Sequence, residues 1–378
     1  MDQNLEKAIK KYKFQTNYFS DTEELKNQII NKSVIPHQVE FQPGAQGKKI
    51  CWLSCDYCYG ESAIDTGERL DEKRLVELIN EIADGGVNKV TFAGWATDPL
   101  NSKHIDALLE EAIKRNLIFG FNTKALKVSD RFVNALKNKN IKRESWVSLS
   151  VDAGTNKTFN VVHGLPNSKA PLYDRLLNNV RRINETNYPE RKFDVSAAYL
   201  VNKHNINKID LLNFINDFKS AGCNILRFAF AQPPRGKLSE NLDTVPTEDE
   251  INNFTKILKE IIKDKETENC KILISNADKD HDILRKARTL PCVARFIYPA
   301  IGFDGHLYQC SQSAAPNFKE MELGNLQNSN FWDLYYNYDV SDFKKFFNET
   351  GKLMTKLGCR CDRKEHVVNK KVKESNIF

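Results

Sequence analysis

The 378-residue sequence has no stretch approaching about eighteen consecutive apolar residues, so no segment is expected to span a membrane. Its opening residues, Met1-Asp2-Gln3-Asn4-Leu5-Glu6-Lys7, hold no apolar run, which excludes a secretory signal there. No internal repeat, heptad run or Pro/Gly linker is visible. Charge excess is small: 56 Lys plus Arg against 50 Asp plus Glu, a formal net charge of +6, which permits a polyanionic partner without demanding one. Disorder is excluded as well. Hydrophobic residues make up 40% and charged residues 28%, enough for a sizeable core in a chain about two domains long. The expected location is therefore the cytoplasm, where thiols stay reduced and structural disulfides are rare. What the sequence does have is cysteine: nine, at 51, 55, 58, 223, 270, 292, 310, 359 and 361. Reduced thiols gathered in this way invite a metal or catalytic role.

Residues 1–36 read as an N-terminal helical extension of one or two short polar helices. From 37 to 235 short apolar strands alternate with amphipathic helices. His37–Gln42 alternates and stops at Pro43-Gly44, and Leu75, Leu78, Ile79 and Ile82 mark one face of a helix ending at Gly85-Gly86. Strands are expected near 87–93, 117–121, 146–151, 193–201 and 225–231, with helices near 105–113, 129–138, 172–184 and 208–220. About six β/α units predict an α/β fold with a parallel sheet, either a partial (β/α)6 TIM-like barrel or a doubly wound open sheet. Residues 236–289 form a bridging segment with a long helix near 247–264 and a strand at 271–275. The remainder, 290–378, reads as irregular: a small C-terminal cysteine-rich domain.

The first cysteines stand in Cys51-Trp52-Leu53-Ser54-Cys55-Asp56-Tyr57-Cys58, just after the first strand. Three thiolates in eight residues can wrap one face of a four-iron cube and leave one iron open to an exogenous ligand. Zinc is the alternative, although structural zinc sites usually pair two Cys-x2-Cys units and no second pair is near. The spacing Cys-x3-Cys-x2-Cys, with an aromatic before the last Cys, resembles the radical S-adenosylmethionine (SAM) superfamily. The resemblance implies a [4Fe-4S] cluster on Cys51, Cys55 and Cys58 whose open iron chelates SAM. Reductive cleavage of SAM would then yield a 5′-deoxyadenosyl radical, the cofactor supplying the hard chemistry.

Other positions extend the resemblance over about residues 37–235. Gly94 and Asp98-Pro99-Leu100 resemble the family's Gly-Gly-Glu-Pro with an insertion and Asp for Glu, implying contacts to the SAM amino group; an ordinary Asp-Pro turn is the alternative. Phe121-Asn122-Thr123 is similar to its Thr-Asn-Gly in altered order. Ser148–Thr155, followed by Val162-His163-Gly164, resembles a Ser-x-Asp-Ala-Gly stretch, which implies Ser150 and Asp152 as cofactor contacts. Tyr57 would lie by the adenine, or else pack its own loop.

Cys292, and Cys310 in Gly305-x4-Cys, flank an expected hairpin turning at Asp304-Gly305. With Gly324-Asn325-Leu326 they resemble the auxiliary-cluster domains called SPASM or, in shorter form, twitch. Cys359-Arg360-Cys361 supplies two further thiols, so Cys292, Cys310, Cys359 and Cys361 suffice for one second [4Fe-4S] cluster, with zinc as the alternative occupant. Asp362 and His366 are reserve donors, His366 being read as a solvated residue of a basic tail. Cys223 and Cys270 are read as small buried hydrophobes, or one of them as a hydrogen donor to a substrate radical. The remaining histidines are read as surface or capping residues.

The four-thiol count favours oxidation, epimerisation or rearrangement of a small polar or sugar-like molecule, with a reducing partner such as flavodoxin or ferredoxin. A ribosomal-peptide maturase is the competing reading; only about 36 residues precede the first strand, fewer than a leader-binding domain needs. A non-enzymatic metal-binding RNA or protein interaction module stands as a remote alternative. Aromatic and basic residues are not interleaved, so the nucleic-acid footprint is weak.

Overall fold

A computed structural model describes residues 3–13, 18–19, 21–44, 51–55, 57–58, 65–94, 97–231, 244–275, 292–357 and 363–375. Two helices, α1 (Gln3–Tyr12) and α2 (Thr22–Ile30), precede the first strand. Strands and helices then alternate: β1 (Val39–Phe41), α3 (Glu72–Asp84), β2 (Lys89–Phe92), α4 (Ile105–Lys114), β3 (Ile118–Thr123), α5 (Asp130–Leu136), β4 (Trp146–Ser150), α6 (Asn156–Val162), α7 (Leu172–Glu185), β5 (Asp194–Val201), α8 (Lys208–Ser220), β6 (Ile225–Phe230), α9 (Glu248–Lys265) and β7 (Lys271–Ile274). The chain continues through α10 (Ala294–Ile297), β8 (Ala300–Ile301), β9 (His306–Tyr308), β10 (Glu322–Asn325), α11 (Phe331–Tyr335), α12 (Phe343–Lys356) and α13 (Arg363–Glu374). Among the described residues no helix is long and apolar enough to cross a membrane.

All ten strands form one sheet in the order β10-β9-β8-β1-β2-β3-β4-β5-β6-β7. From β1 to β7 every neighbouring pair is parallel and consecutive in sequence. A doubly wound sheet would reverse its strand order at a switch point, and this one does not. The arrangement is a partial TIM-like barrel: an α/β sheet with helices that stays unclosed, edged by β7 and β10. Two features depart from the sequence reading. The segment read as a bridge supplies β7, a seventh parallel strand, through Ile225–Phe228 against Lys271–Ile274. The stretch read as irregular supplies β8, which pairs with β1 through Glu40–Ala300 and Phe41–Ile301, and ends in the two helices α12 and α13.

Alternation along the strands sorts the chemistry. Phe41, Phe92 and Phe121 lie on the face covered by helices, fully buried, with the Phe92 and Phe121 rings stacked at 4.9 Å. Each such ring contributes about 1.5–3 kcal/mol by burial. Their neighbours one step away, Glu40, Gln42 and Asn122, face the concave side. That side is polar, and α1 packs into it: the Tyr12 hydroxyl lies 2.9 Å from Ser196 Oγ, and the Arg227 guanidinium sits 4.2 Å from the Tyr12 ring centre. Leu5 and Ala8 meet Ile225 on the same side. Helix α1 is thus part of the barrel interior.

Candidate active site

A cavity of about 420 Å³ opens at the C-terminal edge of β1–β5, where loop residues of such barrels do their chemistry. Cys51, Cys55 and Cys58 all line it, with Cys55 buried and the other two half-buried. Their loop is held from behind by the chain just after α6. Ser54 donates its N–H to the His163 carbonyl at 3.2 Å, and Gly164, at φ +74°, passes so close that a Cβ would stand 2.3 Å from the Ser54 carbonyl oxygen. Helix α6 is only seven residues long, too short for hydrophobic periodicity to reveal; Thr155 caps it by accepting from Thr158 N–H.

Across the cavity, Gly94 and Asp98 shape a second wall. A Cβ on Gly94 would fall 1.4 Å from the Thr97 carbonyl oxygen, so the tight turn admits only glycine. Asp98 accepts from Thr123 Oγ1 at 2.7 and 2.9 Å, from Leu100 N–H at 2.9 Å, and from Lys124 N–H. These three donors, in four contacts, occupy both carboxylate oxygens, so Asp98 clamps its turn to the end of β3. Burial pushes its carboxyl above the usual range against the pull of those donors.

Ser150 and Asn122 line the cavity; Asp152 lies behind Ser150 and is 1% exposed. Asp152 holds a left-handed backbone at φ +61°. Its carboxylate accepts from Tyr57 Oη at 2.9 Å, Ser150 Oγ at 3.0 Å and Leu200 N–H at 2.8 Å. Such fixed partners over-determine the strained conformation. Tyr57 does line the cavity, and its hydroxyl is committed to Asp152.

Sequence reasoning missed three residues here. Lys124, the residue after Asn122-Thr123, places Nζ 3.3 Å from Ser150 Oγ, 3.5 Å from Asp152 Oδ2 and 3.4 Å from His163 Nε2. Burial works against its charge, but Asp152, Cys55 and Asp98 outweigh it and raise the lysine's pKa. His163 was expected at the surface or as a cap; it is fully buried, with Nδ1 3.3 Å from Cys55 Sγ. Burial and the Lys124 charge hold its imidazole well below the ordinary histidine range, neutral. Glu40, 5% exposed on the first strand, lines the cavity beside Gln42, which donates Nε2–H to it at 3.0 Å. A charged residue in an otherwise strand-like run was the available signal. Burial also pushes the Cys55 thiol up to about 12, opposed by Lys124.

The two unassigned cysteines lie elsewhere. Cys223 and Cys270 immediately precede the stretches entering β6 and β7, at the N-terminal edge of the sheet, and both are buried in the apolar core. Burial pushes both thiols up, Cys270 to about 11. Neither lines the cavity, whose walls come from the opposite edge.

In the C-terminal region Cys292 and Cys310 share one buried cluster with Tyr308 and Met321, against which Leu353 and Leu357 pack. Cys359, Cys361 and Asp362 lie outside the described residues; His366 is half-buried in α13. The region reaches the cavity itself, since Ser311 and Gln312 line it and Gln42 Nε2 donates to the Ser311 carbonyl at 3.4 Å.

The radical SAM superfamily matches residues 48–215, the span that holds the three cysteines and the cavity walls from Gly94 to Ser150, but not Glu40, Gln42, Ser311 or Gln312. This chain carries a radical SAM domain. A radical SAM enzyme requires SAM and a [4Fe-4S] cluster, and the residues fit both. Thiols are the ligands that select iron–sulfur clusters, and all three face one cavity. Among the described residues no three His, Cys, Asp or Glu side chains gather tightly enough for a single metal ion; a cube spreads its ligands over different irons.

Two curated relatives are both called S-adenosylmethionine-dependent nucleotide dehydratase. That of Flammeovirga pacifica is 25% identical over 210 residues, 54% of this chain and 67% of that protein. That of Lacinutrix mariniflava is 25% identical over 223 residues, 56% of this chain and 43% of its own length, so the chain spans under half of it. Among solved structures, Streptococcus suis SuiB bound to S-adenosylmethionine superposes with a TM-score of 0.59 at 16% identity, over 91% of this chain and 77% of that one. The anSMEcpe enzyme with bound AdoMet and a Cp18Cys peptide gives 0.56 at 15%, over 84% and 83%. At these identities the likeness is one of fold.

Proposed function

We propose that this radical SAM enzyme holds its cluster on Cys51, Cys55 and Cys58 and acts on a small, hydroxyl-rich substrate of sugar or nucleotide kind. The observation that carries the reading is that one cavity is lined by two chemically different sets of residues: the thiols, Gly94, Asn122, Lys124 and Ser150, and the polar set Glu40, Gln42, Ser311 and Gln312. The first set suits SAM, whose carboxylate and hydroxyls would meet the Lys124 ammonium, Ser150 and Asn122. Bound there, cluster and SAM supply the 5′-deoxyadenosyl radical that abstracts hydrogen. Asp98 keeps the Gly94 turn fixed, and Leu126 and Leu200 add apolar surface to the cavity wall. Glu40 and Gln42 offer acceptors to substrate hydroxyl groups, and nucleotides enter the class because the curated relatives bear that name.

The second site is read as a twitch-type cluster on Cys292, Cys310, Cys359 and Cys361, taking one electron from the substrate radical in a net oxidation. Packing supports this, since α12 delivers Leu357 to the Cys292–Cys310 cluster two residues before Cys359. The reductant for the first cluster would be a flavodoxin or ferredoxin, and the place of work the cytoplasm.

The test is anaerobic reconstitution with iron and sulfide, followed by dithionite, SAM and a panel of ribonucleoside triphosphates, free sugars and short peptides. About eight irons per chain are expected, four for each cube, with 5′-deoxyadenosine formed and its rate raised by a small polar compound. No 5′-deoxyadenosine would overturn the enzyme's assigned chemistry. Stimulation by peptides alone would replace the small-molecule reading with peptide maturation.

A further inference from the structure

His163 touches the cysteine loop with its ring as well as its carbonyl. Nδ1 lies 3.3 Å from Cys55 Sγ and 3.3 Å from Tyr57 Oη; Nε2 lies 3.4 Å from Lys124 Nζ and 3.3 Å from the Val151 carbonyl oxygen. The neighbours decide the tautomer. Lys124 can only donate, so it requires a lone pair on Nε2. Tyr57 spends its proton on Asp152 at 2.9 Å, which leaves only lone pairs facing Nδ1. A ligating Cys55 is a thiolate, again an acceptor. With the proton on Nδ1 all three contacts are matched and only Val151 goes without; with the proton on Nε2 all three are mismatched. The Phe159 ring, edge-on at 4.2 Å, fixes the imidazole plane.

We propose that His163 is a positioning residue that donates an Nδ1–H···S hydrogen bond to Cys55 and thereby raises the reduction potential of the SAM-binding cluster. The inference rests on the reading that Cys55 ligates that cluster. One-electron reduction places more charge on the sulfurs, so a donor fixed at one of them stabilises the reduced form more than the oxidised one. Lys124 completes the relay by holding the lone pair of Nε2, and ties the hydrogen bond to the wall that meets SAM.

The experiment is a redox titration of the reconstituted cluster without SAM, followed by electron paramagnetic resonance, in the wild type, His163→Leu and His163→Asn. The leucine variant should shift the one-electron equilibrium about tenfold toward the oxidised cluster, equivalent to about 59 mV. The asparagine variant, whose amide can stand where Nδ1 stood, should recover most of the shift. A wild-type potential in His163→Leu, or an equal shift in both variants, overturns the proposal. If His163→Leu fails to hold a cluster, pulsed measurements on the reduced wild type decide: a weakly coupled nitrogen with an exchangeable proton is expected, and its absence overturns the hydrogen bond. A wild-type chain that assembles no cluster at Cys51, Cys55 and Cys58 refutes the ligand reading itself, a separate outcome.

Discussion

Gln42 and Ser311 meet although 269 positions separate them: the Gln42 amide donates to the Ser311 carbonyl at 3.4 Å, across the floor of the cavity. The contact ties the first barrel strand to the residue that follows Cys310. Its consequence is that a chain segment carrying two of the proposed auxiliary thiols also forms part of the cavity wall. Cys310, a proposed auxiliary ligand, is thus followed directly by the cavity-lining residues Ser311 and Gln312.

Removing the Thr123 hydroxyl should loosen the Asp98 clamp. Thr123→Val deletes both hydroxyl contacts to a buried carboxylate, and hydrogen bonds to charged groups are worth about 1.5–3 kcal/mol. Denaturant unfolding should show a loss of that order. Equilibrium dialysis with SAM should show weaker binding, because the Gly94 turn is anchored through Asp98.

Gly164→Ala should damage cluster loading more than global stability. The added Cβ would press on the Ser54 carbonyl and impose a disfavoured left-handed backbone on alanine. We expect a lower iron content after reconstitution, with an essentially native circular dichroism spectrum. Wild-type iron content would show that the cysteine loop does not depend on this contact.

The nine cysteines should separate into three groups by iron count and SAM cleavage together. Alanine at Cys51, Cys55 and Cys58 removes 5′-deoxyadenosine formation. A Cys359→Ala, Cys361→Ala double variant lowers iron from about eight to about four while SAM cleavage persists. Alanine at Cys223 and Cys270 changes neither, since both lie in the apolar core at the edge away from the cavity.

His306 gives stability a pH dependence of definite sign. Asp304, 3.4 Å away, raises its pKa against partial burial, with help from Glu322 and Glu68. A raised folded value means the contribution is complete below the ordinary value of 6.5 and disappears as pH rises through the folded value. Thermal midpoints should therefore fall as pH is raised from about 6.5, and His306→Gln should flatten that slope.

Much of the fold was legible because strands and helices of this barrel are long and periodic. The helix over Lys208–Ser220 and the strand over Asp194–Val201 fall where hydrophobic spacing put them. Helix α6 and the pairing of β8 with β1 were not, because seven residues carry too little periodicity and two-residue strands carry none. Within the site, local spacing pointed to the three cysteines, and the resemblance of the following motifs implied Gly94, Asn122 and Ser150. It left out Lys124, His163 and Glu40, whose meaning comes from neighbours far away in the chain.

By itself the sequence determined the donor chemistry: three thiols at Cys-x3-Cys-x2-Cys, at the end of a first strand, with polar residues closing the strands that follow. Thiolate affinity for iron and strand alternation are local properties, so one-dimensional spacing carries them. Tertiary structure alone decided what surrounds those thiols. His163 reaches Cys55 over 108 positions because Gly164 lets two backbones touch, and Asp98, which also lines the cavity, clamps its turn because β3 ends beside it. Hydrogen-bond partners are set by distance in space, which a sequence does not contain until its core has packed.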